Sequence, residues 1–215
     1  MIDSFRQRFT IKIKICGITS LEDAQYGAAL GVDYLGFNFY SKSPRYIGPQ
    51  KAGLIIESLP GSVKKVGIFV NASIDKIKTV ILKTGIDFVQ LHGEETPTDC
   101  NQITCPVIKA FRVRDDFSES VLNPYSVYAI LLDAYDKNKR GGTGMILPWD
   151  KIPRIGETHK IFLAGGLNFD NIEEACQIVR PYAVDLNSGV ENSPGIKNHS
   201  LMKKIVDKIR SLYAK

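Results

Sequence analysis

The stretch Lys65-Val-Gly-Ile-Phe-Val70 is a short, nearly continuous apolar run, and the residues after it change periodicity. Such a run is typical of a strand that is buried on both faces, as in a parallel sheet. Ile74, Ile77 and Ile81 then recur at three- and four-residue spacing, which predicts an amphipathic helix. A strand followed by a helix is the repeating unit of α/β folds, so this segment predicts that fold class.

Seven further segments are expected to be strands: the first alternates isoleucine with lysine, and the other six are apolar runs of the same kind. They are Thr10-Ile-Lys-Ile-Lys-Ile-Cys16, Tyr34-Leu-Gly-Phe37, Phe88-Val-Gln-Leu91, Pro106-Val-Ile-Lys-Ala-Phe111, Ala129-Ile-Leu-Leu132, Lys160-Ile-Phe-Leu-Ala164 and Tyr182-Ala-Val-Asp-Leu186. Helical spacing recurs between them, and short helices are expected near residues 95 to 102, 115 to 122 and 148 to 152. Ser20 with Asp23, and Asn168, are expected to begin helices.

Eight strands that alternate with helices predict a (β/α)8 TIM barrel, formed by residues 1–215 as a single domain. Residues 1–9 would be an N-terminal extension of unclear role. A doubly wound open sheet is the alternative, but no G-x-G-x-x-G motif follows the first strand.

The composition excludes several classes of protein. The 215 residues are 44% hydrophobic and 24% charged, and no run is long and apolar enough to span a membrane. The N-terminus lacks a secretory apolar segment, so a cytoplasmic protein is expected. The four cysteines form no C-x-x-C pair and the three histidines have no zinc-like spacing, so neither a metal nor a disulfide framework is expected. The net charge of +5 is spread along the chain, which favours anionic metabolites over nucleic acid as partners.

Polar residues and glycines follow all eight strands. In order they are Cys16, Asn38, Asn71, His92, Arg112, Asp133, Gly165-Gly166 and Ser188-Gly189. Any one of them could be a cap or a turn residue. Because barrel enzymes carry their active sites at the carboxyl ends of the strands, the full set predicts a site there.

Cys16 is the candidate base. Ile11, Ile13 and Ile15 share one face of the first strand, so Cys16 belongs to the opposite face with the two intervening lysines and should point into the barrel mouth. A nearby lysine favours the thiolate, which can take a carbon-bound proton. The alternative is a buried cysteine that acts as a small apolar residue, the interpretation adopted for Cys176.

Asp133 is the candidate acid, because the apolar strand before it gives no structural reason for a carboxylate. A helix cap, or a salt bridge to Lys137 or Arg140, is the alternative. Gly165-Gly166 and Ser188-Gly189 end the strands whose loops hold phosphate in many barrels, so a phosphate site is expected there.

Two loops complete the candidate site. Arg45 follows the second strand and could pair with a substrate carboxylate. The glycine-rich loop at 141–144, which includes Gly142 and Gly144, could close over a ligand.

Taken together, these motifs resemble the phosphoribosylanthranilate isomerase family over most of the chain. The segments that carry the resemblance are Lys14-Ile-Cys-Gly-Ile-Thr19, Gly36-Phe-Asn-Phe-Tyr-Ser-Lys-Ser-Pro-Arg-Tyr46, Gln90-Leu-His-Gly-Glu94, Leu132-Asp-Ala134, Gly141-Gly-Thr-Gly144, Leu163-Ala-Gly-Gly-Leu167 and Asp185-Leu-Asn-Ser-Gly-Val-Glu191. The resemblance implies the tryptophan-pathway Amadori rearrangement of N-(5-phosphoribosyl)anthranilate to 1-(2-carboxyphenylamino)-1-deoxyribulose 5-phosphate, without a metal or an organic cofactor.

The resemblance also implies a role for each candidate. Asp133 would protonate the furanose ring oxygen, Cys16 would remove the C2 proton, and Arg45 would bind the anthranilate carboxylate. Gln90 and His92 would line the mouth, and Asp185 would lie near the sugar hydroxyls. The phosphate would bind at Gly165, Gly166, Ser188 and Gly189, under the loop of Gly142 and Gly144.

Some features depart from the family pattern, and other functions stay open. Asn187 replaces a usual serine, and Met145-Ile-Leu-Pro148 replaces the usual approach to Trp149. A metal-dependent epimerase needs more histidine and acidic ligands at the strand ends, and a related isomerase of histidine biosynthesis would have aspartate in place of Cys16. A non-enzymatic phosphate-binding barrel would lack the acid and the base. The sequence is compatible with a monomer or a homodimer.

Overall fold

A computed structural model describes residues 10–113, 117–133, 149, 152 and 158–212. Eight parallel strands form a closed barrel in chain order, and β8 pairs with β1 to close it. The strands are β1 Lys12–Ile15, β2 Tyr34–Asn38, β3 Lys64–Phe69, β4 Phe88–Leu91, β5 Val107–Arg112, β6 Ala129–Asp133, β7 Ile161–Ala164 and β8 Ala183–Leu186. The predicted TIM barrel is confirmed.

Helices connect the strands around the outside of the barrel. They are α1 Leu21–Ala29, α2 Pro49–Glu57, α3 Ile74–Thr84, α4 Pro97–Asn101, α5 Ile172–Val179 and α6 His199–Ser211, with 3-10 helices at Glu119–Leu122 and Ser188–Val190. A short hairpin of β9 Glu191–Ser193 and β10 Ile196–Lys197 follows β8. Among these described helices, none has both the length and the apolar character needed to cross a bilayer.

Of the two predicted helix starts, the structure confirms one and corrects the other. Ser20 accepts a hydrogen bond from the Asp23 N–H, as its position before α1 predicted. Asn168 does not begin the helix after β7, because the N-cap of α5 is Asn171. The Asn168 side chain instead accepts the backbone N–H groups of Asp170 and Asn171 and forms a turn ahead of the helix.

The predicted short helices have different outcomes. The one near residues 95 to 102 is α4, which Thr96 and Asp99 start with a capping box. Within residues 115 to 122, the described part contains the 3-10 helix Glu119–Leu122. The one at 148 to 152 lies almost wholly outside the described residues, as does the extension at 1–9.

The inside of the barrel changes character along its axis. Near the amino ends of the strands, Tyr34, Phe88 and Phe162 pack edge to face as an apolar layer. One layer further toward the carboxyl ends, three polar side chains are buried instead: Lys14, Gln90 and Asp185. Burying charge is costly unless the charges are paired, so this upper layer marks the end of the barrel where chemistry is expected.

Candidate active site

A buried ion pair lies directly beneath the thiol at the end of β1. Lys14 on β1 and Asp185 on β8 are register partners, and the Lys14 Nζ lies 2.7 Å from the Asp185 Oδ2. The Lys14 side chain is fully buried. Burial alone would lower the pKa of Lys14, but the charge of Asp185 and the contact with Cys16 outweigh it and raise that pKa. Lys14 is therefore a cation beside Cys16 at neutral pH.

Cys16 lies on the inward face with Lys14, as the alternation of β1 predicted, and it is buried. A Cβ placed on Gly36 would lie 3.0 Å from the Cys16 Sγ, so the missing side chain of Gly36 makes room for the thiol. Burial raises the pKa of the Cys16 thiol, and Lys14 and Lys197 offset that effect only in part. The expectation that a lysine favours the thiolate is correct in sign, but desolvation is the larger effect.

Asp133 ends β6 and pairs with His92 at the end of β4. The His92 Nε2 lies 3.4 Å from the Asp133 Oδ2, and the His92 Nδ1 lies 3.0 Å from the Gln90 Nε2. Because the Gln90 amide nitrogen donates to Nδ1, the hydrogen of a neutral ring is on Nε2, the atom nearer the Asp133 carboxylate. The structure thus brings three predicted site residues together, through the hydrogen bond of Gln90 with His92 and the contact of His92 with Asp133. The alternative partners Lys137 and Arg140 lie outside the described residues.

Arg45 is not the solvent-facing arginine that was the alternative to carboxylate binding. Its Nε lies 2.9 Å and 3.1 Å from the two oxygens of Glu191, and its Nη2 lies 2.6 Å from the Glu191 Oε2. Two atoms of the guanidinium edge thus contact the carboxylate. The Arg45 side chain is 19% exposed and the Glu191 side chain 3% exposed. Glu191 was not predicted as a partner of Arg45, although it ends the motif Asp185-Leu-Asn-Ser-Gly-Val-Glu191.

The glycines after β7 and β8 adopt conformations that suit backbone binding of an anion. Gly165 and Gly166 have φ values of 97° and 66°, which other residues rarely adopt. Neither of their backbone N–H groups donates to another described residue. A Cβ on Gly189 would lie 2.0 Å from the Leu167 carbonyl oxygen, so the two loops are in direct contact only because Gly189 has no side chain. Ser188 is exposed beside it.

The other predicted positions have different outcomes. Gly142 and Gly144 lie outside the described residues. Asn38 accepts the Tyr40 N–H and donates to Ser43, and Asn71 accepts the Glu94 N–H at a φ of 49°. These two asparagines hold turns, which is the alternative that the sequence left open for each strand end.

A second buried ion pair supports the loops beside His92. The Lys109 Nζ lies 3.0 Å from the Glu95 Oε2 and donates to the Gly93 carbonyl oxygen at 2.7 Å. Glu95 accepts the N–H groups of Asn71 and Gly93. Pro106-Val-Ile-Lys-Ala-Phe111 did contain a lysine within an apolar strand, and that lysine was the signal for a buried partner. Among the described residues, no three His, Cys, Asp or Glu side chains are grouped so that they could hold a metal ion.

Comparison with known proteins gives consistent matches over nearly the whole chain. Residues 13–208 match the family model described as N-(5'-phosphoribosyl)anthranilate (PRA) isomerase. Curated N-(5'-phosphoribosyl)anthranilate isomerases of Citrifermentans bemidjiense and Geobacter metallireducens are 47% and 44% identical to this chain. The alignments cover 94% of this chain and 98% and 100% of those relatives.

Solved structures show the same similarity. The phosphoribosyl anthranilate isomerase of Thermotoga maritima is 40% identical with a TM-score of 0.87, over 94% of this chain and 100% of that one. A phosphoribosyl anthranilate isomerase in complex with reduced 1-(o-carboxyphenylamino)-1-deoxyribulose 5-phosphate is 39% identical with a TM-score of 0.84, at the same coverage.

Proposed function

The chain belongs to the N-(5'-phosphoribosyl)anthranilate isomerase family, and we propose that Cys16 and Asp133 carry out the proton transfers of its reaction. The chain is an isomerase of tryptophan biosynthesis that converts N-(5-phosphoribosyl)anthranilate to 1-(2-carboxyphenylamino)-1-deoxyribulose 5-phosphate. The rearrangement moves protons between oxygen and carbon and leaves the atomic composition unchanged. A site that performs it needs one acid, one base and a place for the phosphate.

In the proposed mechanism the acid acts first. Asp133 donates a proton to the furanose ring oxygen, the C1–O bond breaks, and the anthranilate nitrogen forms a Schiff base with C1. His92 lies beside the carboxyl group, with 3.4 Å between Nε2 and Oδ2, and would help to hold its orientation. Gln90 holds that ring in turn.

The base acts second. The Cys16 thiolate removes the C2 proton, and the electrons of the C–H bond form an enolamine that tautomerises to the ketone. Because burial raises the pKa of Cys16, the thiol predominates in the free enzyme at neutral pH. Lys14 stabilises the thiolate when it forms, and Asp185 keeps that lysine in place.

The remaining groups hold the substrate in this proposal. The Oδ1 of Asp185 is buried without a hydrogen-bond partner among the described residues, which suits a sugar hydroxyl donor. Gly165, Gly166, Ser188 and Gly189 would present backbone N–H groups to the phosphate. Arg45 would bind the anthranilate carboxylate, and the loop with Gly142 and Gly144 would cover the ligand.

The observation that carries the mechanism is the buried Lys14 to Asp185 pair beneath Cys16, because a fixed cation at a strand end stabilises a thiolate there. The test is the loss of substrate fluorescence on turnover, without added metal. Cys16→Ala and Asp133→Ala should each lower kcat by at least about 100-fold while the circular dichroism spectrum stays that of the wild type. Cys105→Ala, at a half-buried cysteine, is the control. Full turnover in either active-site variant would refute its assigned role.

We also propose that the reaction takes place in the cytoplasm. The four cysteines, all within the described residues, form no disulfide in the structure, as expected for a compartment that keeps thiols reduced. One structural relative consists of monomers generated from the dimeric phosphoribosyl anthranilate isomerase of Thermotoga maritima. We propose a monomer or a homodimer for this chain, to be decided by light scattering.

A further inference from the structure

Glu191 lies between two cations next to the candidate site. Its Oε1 accepts hydrogen bonds from the Arg45 Nε at 2.9 Å, the Lys197 Nζ at 2.8 Å and the Gly195 N–H at 3.1 Å. Among the described residues, its Oε2 accepts only from Arg45, at 2.6 Å and 3.1 Å. The Lys197 side chain is fully buried and also donates to the Asn187 Oδ1 at 3.2 Å. These contacts satisfy the carboxylate completely and leave one net positive charge.

This charged group is packed onto the backbone that follows Cys16. A Cβ on Gly17 would lie 2.7 Å from the Arg45 Cδ and 2.8 Å from the Asn187 Oδ1. The φ of Gly17 is 75°, so this position requires glycine for its backbone conformation as well. Thr19 donates to the Gly195 carbonyl oxygen and ties the β9 to β10 hairpin to the loop after β1. The Arg45 side chain is therefore held against Gly17, the residue that follows Cys16.

Glu191 contacts Arg45 along one edge of the guanidinium group. Glu191 occupies the edge of the guanidinium formed by Nε and Nη2, while no described residue accepts a hydrogen bond from Nη1. An arginine that is free to rotate loses much of its side-chain entropy when it binds a carboxylate, whereas one held on its Nε edge is already ordered. The edge formed by Nη1 and Nη2 can then take a second carboxylate.

We propose that Glu191, supported by Lys197 and Asn187, is a positioning residue that holds the Arg45 guanidinium ready for the carboxylate of the substrate. This inference rests on the proposed role of Arg45. It also gives Asn187, a departure from the family pattern, a function as a hydrogen-bond acceptor for Lys197. Burial alone would raise the pKa of Glu191, but Arg45 and Lys197 together lower it, so the carboxylate stays charged at neutral pH.

The test compares two inhibitors, anthranilate and inorganic phosphate, in wild type, Glu191→Gln, Arg45→Ala and the double variant. Glu191→Gln should weaken inhibition by anthranilate up to about tenfold, because the released Arg45 side chain must then be ordered on binding, and should leave inhibition by phosphate unchanged. The double variant should bind anthranilate no more weakly than Arg45→Ala, since Glu191 acts through Arg45. If Glu191 only stabilised the β9 to β10 hairpin, Glu191→Gln would weaken the binding of both inhibitors or of neither. That result would overturn the proposal.

Two controls separate the causes of failure. Asp207→Asn removes an exposed carboxylate that also pairs with a lysine, Lys203, and should change neither inhibitor. Glu191→Asp keeps the negative charge opposite Lys197 but is one methylene shorter, so it cannot hold Arg45 in the same way. It replaces Glu191→Gln if that variant does not fold, and we expect the same weakening of anthranilate inhibition. If Arg45→Ala leaves anthranilate inhibition unchanged, the carboxylate assignment of Arg45 is wrong. If only the Glu191 variants leave it unchanged, the positioning role is wrong.

Discussion

Lys14 and Asp185 are register partners on the two strands that close the barrel, and their side chains form an ion pair of 2.7 Å in its buried upper layer. Cys16 lies two residues after Lys14 on the same face of β1. The pair therefore holds a cation against the thiol while Asp185 offers its second oxygen, which has no partner among the described residues. The reactivity of the thiol should depend on this pair.

Lys14→Met should lower the reactivity of Cys16 toward iodoacetamide at any pH between 7 and 9. Lys14 lowers the pKa of Cys16 against the larger effect of burial, so its loss raises that pKa further and reduces the thiolate fraction. A change of one pKa unit corresponds to roughly a tenfold slower reaction. The rate is measured by mass spectrometry of the Cys16 peptide, and the pH at which kcat/KM rises should move upward as well.

The matched control is Lys12→Met on the same strand. The Lys12 Nζ pairs with the Asp33 Oδ1 at 2.8 Å, but Lys12 is 42% exposed. Its loss should change stability by at most about 1 kcal/mol and leave the alkylation rate of Cys16 unchanged. Equal effects of the two variants would show that Lys14 has no special influence on the thiol.

Gly189→Ala should separate the two loops assigned to the phosphate. The new Cβ would lie 2.0 Å from the Leu167 carbonyl oxygen, so the backbone must move, at a cost of roughly 1–3 kcal/mol in unfolding free energy. Inhibition by inorganic phosphate should weaken with it. Gly61→Ala is the control, because nothing lies within 4 Å of the Cβ that it adds. Unchanged phosphate inhibition in Gly189→Ala would argue against a phosphate site at these loops.

The fold was predictable because its signals are local. Each strand is an apolar run of a few residues, and the inward face of β1 follows from the alternation of isoleucine and lysine. Closure of the barrel then brings the strand ends together whatever the loop sequences are. Cys16, Asp133 and His92 could be proposed as neighbours for this reason.

The paired charges were not predictable from local pattern. Arg45 and Glu191 are 146 positions apart, and the sequence does not show which of the many charges will meet across the mouth. The predicted helix start at Asn168 was wrong because two residues of a type that caps helices lie close together there. Asn168 and Asn171 are both suitable, and only the backbone path decides that Asn171 is the N-cap. The balance of burial against lysine at Cys16 likewise needed the three-dimensional surroundings.

Gln90→Leu should lower kcat about five- to tenfold with little change in KM. It removes the amide that lies 3.0 Å from the His92 Nδ1, so the ring no longer has a fixed hydrogen position toward Asp133. Stability should fall little, because the variant also removes a buried amide oxygen that has no partner among the described residues. Gln102→Leu, at an exposed glutamine, is the control. A rise in KM alone would instead make Gln90 a substrate contact.

Stability at alkaline pH should depend on Cys176, a core cysteine of α5. Burial raises its pKa from 9.0 to about 12, so between those values the unfolded chain releases a proton that the folded chain keeps. The folded state then binds more protons than the unfolded state, and the unfolding free energy falls as pH rises, by about 1.4 kcal/mol per pH unit for this group. Below pH 9 the group has no effect.

Cys176→Ala should lose a constant amount of stability by leaving a cavity but show a shallower decline of the unfolding free energy above pH 9. Urea unfolding of both proteins from pH 7 to 11 measures the difference in slope, and parallel curves would mean that this thiol ionises without cost in the folded protein.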